Sequence, residues 1–372
     1  MKRQGCDETT ATSGATPTLP VQLIRYNPDS AEGIAMTVLR KTRVLNVQKR
    51  RAAKRLFPAV TAIALMMVGV TSIGGPVAHG TPPGENGSIV FSADDGTGFD
   101  LYAIEPDGTN LRRLTDVDGE ATTPDWSPDG GRIALELVVP SAGGGGEDHA
   151  AVAVMNADGS NLSDLTPTGF QGQPAFTPDG HHLLYECDCH PQGIFIMNDD
   201  GTDRRRVTTH KFPFEPDSDP NVSPDGETVT FVRHKVSGEL QALFAVDIDG
   251  SNLRKIVPYS LEVAIKHDWA PDGRRIVITT DADYPGGRSP NVATIRPDGS
   301  HLRMLTSYTG GKRGAFAGSY SPDGNWIVFR VENLERERFA LFKIRPDGSD
   351  RTLIARLPFA PRHIDWGPLL DG

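Results

Sequence analysis

Cys187, Asp188, Cys189 and His190 stand in one C-D-C-H run, with His181 and His182 shortly upstream. Thiolate and imidazole at that density suit copper or zinc. The four-ligand spacing of a structural zinc site is incomplete, and a Cys187–Cys189 disulfide or two inert thiols are the other readings. A second collection is cationic: His210, Lys211, Lys266, His267, Lys312, Arg313, Arg362 and His363. Brought together, these groups would form a well for an acidic peptide end or a carboxylated sugar. Dispersed among Asp116, Asp118, Glu120, Glu215 and Asp217, they would be ordinary solvated charges. The runs DIDGSN (247–252) and NDDGTD (198–203) open like calcium loops, but the residue due at position twelve is Pro258 or Thr209 and not an acid. GGGG (143–146) brings no phosphate-binding lysine, and no G-x-S-x-G nucleophile elbow occurs. No catalytic residue, cofactor or metal is assigned.

The elements that must carry these residues announce themselves by repetition. One motif recurs as DWSPDG (125–130), AFTPDG (175–180), NVSPDG (221–226), DWAPDG (268–273) and SYSPDG (319–324), with a truncated DWGP at 365–368. Its prolines are separated by 50, 46, 47, 51 and 46 residues, the period of a four-stranded propeller blade. Between copies lies a second motif, at 106–111, 157–162, 199–204, 248–253, 297–302 and 346–351, reading PDGTNL, ADGSNL, DDGTDR, IDGSNL, PDGSHL and PDGSDR. Both motifs have hairpin chemistry: Pro presets one dihedral, Asp bonds its own backbone, and Gly accepts positive φ. The joined stretches are short and β-prone, such as SIVFS (88–92), TVTFVR (228–233) and RIVITT (275–280).

Each unit therefore reads strand, S-P-D-G turn, strand, variable loop, strand, D-G turn, strand. The first unit lacks a strand before Ser88, and the last strand, near 363–366, has no blade after it. The two fragments complement each other, so the expected fold is an all-β, six-bladed propeller of four-stranded antiparallel blades. The C-terminal strand would serve as innermost strand of the first blade and close the ring. Trp126, Phe176, Val222, Trp269, Tyr320 and Trp366 share one phase and are expected to fill the wedges between blades. Both tight turns fall on one face. The long, unequal connections fall on the other, and that face is expected to be functional.

Repeats of this form resemble those of the TolB-like propellers, also called PD40 or WD40-like β-propeller repeats, whose hallmark is the W-S-P-D-G turn. The resemblance covers nearly all of 87–368 and is specific, because the turn recurs in register with a D-G-x-x-L hairpin. It implies a secreted or periplasmic protein-binding propeller. TolB itself carries an α/β domain before its propeller and acts in the Tol-Pal envelope system. Here only 81–86 separate an export segment from the first strand, which points away from a Tol-Pal complex. Similar propellers also precede prolyl oligopeptidase-type hydrolase domains, for which this chain shows no elbow.

Composition agrees. With 40 glycines and 29 prolines among 372 residues the chain is rich in turns, which disfavours a helical bundle. Residues 1–80 hold 11 Lys/Arg and 4 Asp/Glu of totals of 38 and 48, so 81–372 carries a charge near -17. An acidic surface without a basic stripe disfavours nucleic acid. Residues 36–56 hold eight basic and no acidic side chains, and an apolar run over 56–73 and a small-residue exit at Ala78 and Gly80 follow. This is a signal peptide or an uncleaved anchor, through which the protein would attach to a membrane. The expected organisation is a disordered or spurious extension over 1–35, the export segment over 36–80 and the propeller over 81–372. The expected role is extracytoplasmic binding of a protein or cell-envelope ligand. A propeller enzyme with its site at the channel mouth, a lyase or a glycan or peptide hydrolase, and a membrane-anchored sensor or scaffold are the alternatives.

Overall fold

Short β-prone runs punctuated by Pro, Asp and Gly fold as the repeats require. The computed structural model describes residues 81, 83–140, 149–189, 192–209, 215–235, 240–280, 288–333 and 335–370. The expected extension and export segment lie outside the described residues, as do His190, His210 and Lys211. Among the described residues no helix is long and apolar enough to cross a membrane.

There are six four-stranded antiparallel sheets. The first contains β1 (Asn86–Asp94), β2 (Phe99–Ile104) and β3 (Arg112–Arg113), and the second β4 (Glu120–Trp126), β5 (Arg132–Val139), β6 (His149–Asn156) and β7 (Ser163–Asp164). The third is β8 (Gln171–Phe176), β9 (His182–Cys187), β10 (Gly193–Asn198) and β11 (Arg205–Arg206). The fourth is β12 (Asp217–Val222), β13 (Thr228–His234), β14 (Gln241–Asp247) and β15 (Arg254–Lys255). The fifth is β16 (Asp268–Trp269), β17 (Ile276–Thr280), β18 (Asn291–Ile295) and β19 (Arg303–Met304). The sixth is β20 (Arg313–Tyr320), β21 (Ile327–Asn333), β22 (Arg338–Ile344) and β23 (Thr352–Leu357). The last strand, β24 (Arg362–Pro368), joins the first sheet in the order β24-β1-β2-β3, so the closure expected from the sequence is the one observed.

The turns form for the reasons their residues suggest. In the second blade Ser127 Oγ donates to Asp129 Oδ1 at 2.6 Å, the Gly131 amide donates to the same oxygen at 2.9 Å, and Gly130 sits at φ 68°. In each D-G hairpin the aspartate accepts the amide two residues on, as Ser251 donates to Asp249 Oδ1 at 2.8 Å. That contact gives the calcium-like runs a turn role. Each hairpin also needs a second left-handed residue, Asn110, Asn161, Asp203, Asn252, His301 or Asp350. Asn and Asp tolerate that conformation better than most side chains.

The six aromatic-phase residues are buried and pack in clusters that span neighbouring blades, as expected. Trp366 and Ile364 of β24 meet Ile89 and Phe91 of β1 and Val328 and Leu341 of the sixth blade. Trp126 packs with Val90 and Leu101 of the first blade and Ile133 and Leu135 of its own.

Several strands run further than the expected loops allow. β20 begins at Arg313 and β24 at Arg362, so Arg313 and Arg362 are strand residues, as His363 was expected to be.

Candidate functional site

The channel is built from two positions of each innermost strand. One is the residue just before the aromatic: Asp125, Ala175, Asn221, Asp268, Ser319 and Asp365. At every one of these but Ala175 the side chain reaches the next blade's backbone. Trp126 N–H donates to Asp365 Oδ2 at 2.9 Å, Phe176 N–H to Asp125 Oδ2 at 2.8 Å, Tyr320 N–H to Asp268 Oδ2 at 2.8 Å, and Trp366 N–H to Ser319 Oγ at 2.7 Å. These contacts link blade to blade around the axis and satisfy amides that the sheets leave open. At the tight-turn end the channel narrows to about 20 Å³, lined by Asp125, Asn221, Asp268 and Asp365 and stoppered by Thr81. That is room for about one water. Thr81 Oγ1 donates to Asp268 Oδ2 at 2.6 Å.

The second position lies three residues before the aromatic: Thr123, Gln173, Asp219, Lys266, Ala317 and His363. Five of these six are held left-handed, with φ of 46°, 51°, 49°, 79° and 47° for Thr123, Gln173, Asp219, Lys266 and His363. Register shifts between the first and second strands occur at or next to this point in five of the blades, so five inner strands bulge there; the fifth blade, whose β16 begins only at Asp268, shows none. A bulge re-aims the side chain it carries. The bulged amides are again held by neighbouring blades: Lys266 N–H donates to Asp219 Oδ2 at 2.6 Å, Ala317 N–H to Thr279 Oγ1 at 2.8 Å, and Gln173 N–H to Glu136 Oε2 at 3.3 Å.

Charge in the channel centres on Lys266, whose side chain is 11% exposed and whose Nζ lies 3.5 Å from Asp365 Oδ1. Burial works against its ammonium, but Asp365, Asp125, Asp268 and Asp219 more than offset it and hold the group above its ordinary value. Burial and the neighbouring Asp365 push the Asp125 carboxyl well up. Burial likewise raises Asp268 to about 6, opposed by Lys266. Asp219 goes the other way. Burial tends to raise it, yet the hydrogen bond and charge of His267 and the charge of Lys266 leave it lowered. His267 is itself buried, with Nδ1 2.9 Å from Asp219 Oδ2 and Nε2 2.8 Å from Thr230 Oγ1.

Towards the long-loop end, β5 and β9 contribute Glu136 and Glu186. Burial raises Glu136 to about 7 and, helped by the charge of Glu136, Glu186 to about 8. The fit is close, because a Cβ on Gly172 would lie 2.4 Å from Glu136 Oε2. In the folded chain both carboxyls keep protons that the unfolded chain releases near 4.5, so stability falls as pH rises from about 5 to about 8 and levels off above. The double variant Glu136→Gln, Glu186→Gln should flatten that slope in urea melts across this range. An unchanged slope would show that the two carboxyls titrate normally.

The cationic residues read from the sequence are dispersed among these features. Lys266 and His363 occupy the second inner position, and His267 is buried between the fourth and fifth blades; Ser92 Oγ lies 3.3 Å from His363 Nδ1, and burial pushes that imidazole down to about 3, leaving it neutral. Lys312 is exposed and paired with Glu335 at 2.6 Å, Arg313 is exposed at the start of β20, and Arg362 opens β24. Cys187 and Cys189 are joined in a disulfide, and a sulfur so bonded has no thiolate to offer a metal. The channel carboxylates were visible in the repeated D-W pair, whereas Glu136 and Glu186 carry no motif. Ser218 Oγ and His234 Nε2 also meet, at 2.8 Å, but both residues are buried and burial lowers the imidazole.

Fold and site together define a six-bladed propeller with a polar, heterogeneous axis. The sequence profile described as the TolB beta propeller domain, PD40, matches residues 168–370, and the chain belongs to that family. Among relatives, "Protein TolB homolog" from Chlorobium luteolum is 28% identical over 218 residues, covering 58% of this chain and 46% of that protein. "Uncharacterized peptidase YuxL" from Bacillus subtilis is 26% identical over 212 residues, covering 47% of this chain and 31% of that protein. The matches thus span half or less of these relatives' own length. Among solved structures, TolB from Acinetobacter baumannii superposes with a TM-score of 0.60 at 18% identity, covering 77% of this chain and 68% of that one. This last likeness concerns the fold alone.

Proposed function

We propose that this protein is an exported, non-catalytic binding propeller that receives a protein or cell-envelope ligand in the long-loop mouth of its channel. The observation that carries the reading is the ring of left-handed residues, Thr123, Gln173, Asp219, Lys266 and His363. Such backbone conformations cost about 1–3 kcal/mol each and persist where a function uses the side chains they aim. Their chemistry differs from blade to blade, which suits an irregular ligand surface better than a symmetric small molecule. Similarity to a protein named TolB homolog supports a binding role. The chain is similar also to part of a protein named an uncharacterized peptidase, which keeps the enzyme reading as the alternative. The basic and apolar run over 36–80 supports a place outside the cytoplasm, with or without attachment through 56–73.

At the mouth, Lys312, Arg313 and Arg362 are the groups we assign to acidic features of the ligand; Lys266, engaged by the channel carboxyls, and the neutral His363 are not. The test is recovery of envelope proteins on the immobilised full-length chain, against the variant Lys312→Glu, Arg313→Glu, Arg362→Glu. Loss of one charge-assisted contact of about 1.5–3 kcal/mol should cut recovery of the bound partner about tenfold or more. The control reverses Arg112 and Arg254 on the outer strands and should bind as before. Equal recovery by the mouth variant would remove these residues from the site.

A further inference from the structure

The Cys187–Cys189 bond lies away from the channel axis and owes nothing to the binding role above. Cys187 ends β9 and is buried in the wedge between the second and third blades, against Ala134, Val152 and Tyr185. Cys189 is only partly buried. A bridge with one residue between its sulfurs ties no strand to another. So short a loop removes little freedom from the unfolded chain. Cys187 is moreover already held by strand pairing, opposite Gly193 on one side and Gln171 on the other. Stabilising the blade gives no reason for the bond.

Sulfur chemistry does give one. Two N–H donors converge on Cys187 Sγ: the backbone amide of Cys189 at 3.2 Å and the Gln171 side-chain Nε2 at 3.7 Å. Donors aimed at a sulfur stabilise the charge it acquires as a thiolate, and a more stable thiolate leaves faster. Cys189, the less buried residue of the two, is thus the one to be attacked, and Cys187, buried and with two donors on its sulfur, is the one prepared to leave. The Asp188 amide donates to the Phe170 carbonyl at 2.9 Å, which fixes beside this turn an aromatic residue 42% exposed. A ring left in solvent there gives an incoming polypeptide an apolar foothold.

We propose that Cys187–Cys189 is an exchange-active disulfide that oxidises an external protein dithiol. One thiolate of the dithiol attacks Cys189 Sγ; the Cys187–Cys189 bond breaks, its electron pair leaves on Cys187 Sγ, and that sulfur takes a proton from water. The second thiol of the dithiol, deprotonated, attacks its own sulfur in the mixed disulfide and releases Cys189 as a thiolate, which is protonated in turn. The external dithiol loses two electrons and two protons and becomes a disulfide, while the Cys187, Cys189 pair gains both.

The test uses the full-length chain carrying Cys6→Ser, so that of its three cysteines only this pair reports. In native buffer, excess dithiothreitol should yield two alkylatable thiols per chain and one oxidised dithiothreitol, with the circular dichroism spectrum unchanged. Excess reduced glutathione should open the bond as well. With oxidised glutathione, Cys187→Ser should trap a mixed disulfide at Cys189 about tenfold faster than Cys189→Ser traps one at Cys187, following exposure of the sulfur. A bond that resists both thiols until denaturant is added is a passive clasp, and that result overturns the proposal. Equal trapping by the two variants overturns the assigned order of attack. If either variant fails to fold, reduction of the unmutated pair decides alone.

Discussion

Lys266→Met should destabilise the propeller by about 3–5 kcal/mol at neutral pH, the cost of removing one partner from a buried charge group. The ammonium lies among Asp125, Asp219, Asp268 and Asp365, and methionine fills a similar volume without the charge. Two of these carboxyls are raised even with Lys266 present, Asp268 to about 6 and Asp125 well above the usual range. Without the cation they hold protons more tightly still. A carboxyl protonated when folded and ionised when unfolded opposes folding more as pH rises, up to its folded value. The variant should therefore recover stability as pH falls from about 7 towards about 5, and the midpoint of urea denaturation across that range measures this. Adding Asp365→Asn should restore part of the loss at neutral pH by removing the nearest uncompensated carboxylate. A Lys266→Met protein as stable as its parent at pH 7 would mean that water, not lysine, balances the channel.

The second large effect is expected at the seam. Trp366→Ala should cost about 3–5 kcal/mol, the range for emptying a buried aromatic site. Trp366 is 1% exposed, packs with both the first and sixth blades, and its indole Nε1 donates to the Gly87 carbonyl at 3.0 Å. The approach there is close enough that a Cβ on Gly87 would meet the Pro368 carbonyl, so the seam has little capacity to collapse into the space left behind. Native-state hydrogen exchange should locate the damage. Amides of β1 and β24 should lose protection before those of β13 and β14, because only the former pair hold the ring shut. Uniform loss of protection across all six blades would indicate that the seam has no separate opening step.

Much of the fold was legible because turns have chemistry of their own. Pro, Asp and Gly at fixed offsets determine where each hairpin folds, and the spacing of Pro128, Pro178, Pro224, Pro271 and Pro322 counts the blades. The site was legible only in fragments. Thr123, Gln173, Asp219, Lys266, Ala317 and His363 occupy one structural position, yet their side chains share no property that a motif could capture. What five of them share is a left-handed backbone angle, at a bulge in every case but Lys266, and that angle has no residue signature when glycine is not used. Lys266 and His267 resembled loop charges because β16 is two residues long, and the run before it looks irregular in sequence. Glu136 and Glu186 look like solvent-facing strand residues until the ring curves their blades around an axis.

The partnership of β1 with β24 pairs Val90 with Asp365, residues at nearly opposite ends of the propeller sequence. A ribosome releases these two strands far apart in time. Throughout synthesis the inner edge of β1 waits unpaired, and the molecule is an open arc whose two ends have yet to meet. Contacts of such large sequence separation form slowly. A chain interrupted anywhere before 362–368 keeps its open edge and so exposes itself to proteases, whereas a finished one conceals it. The seam thus sets the moment of closure: the ring cannot shut before the strand over 362–368 has been made.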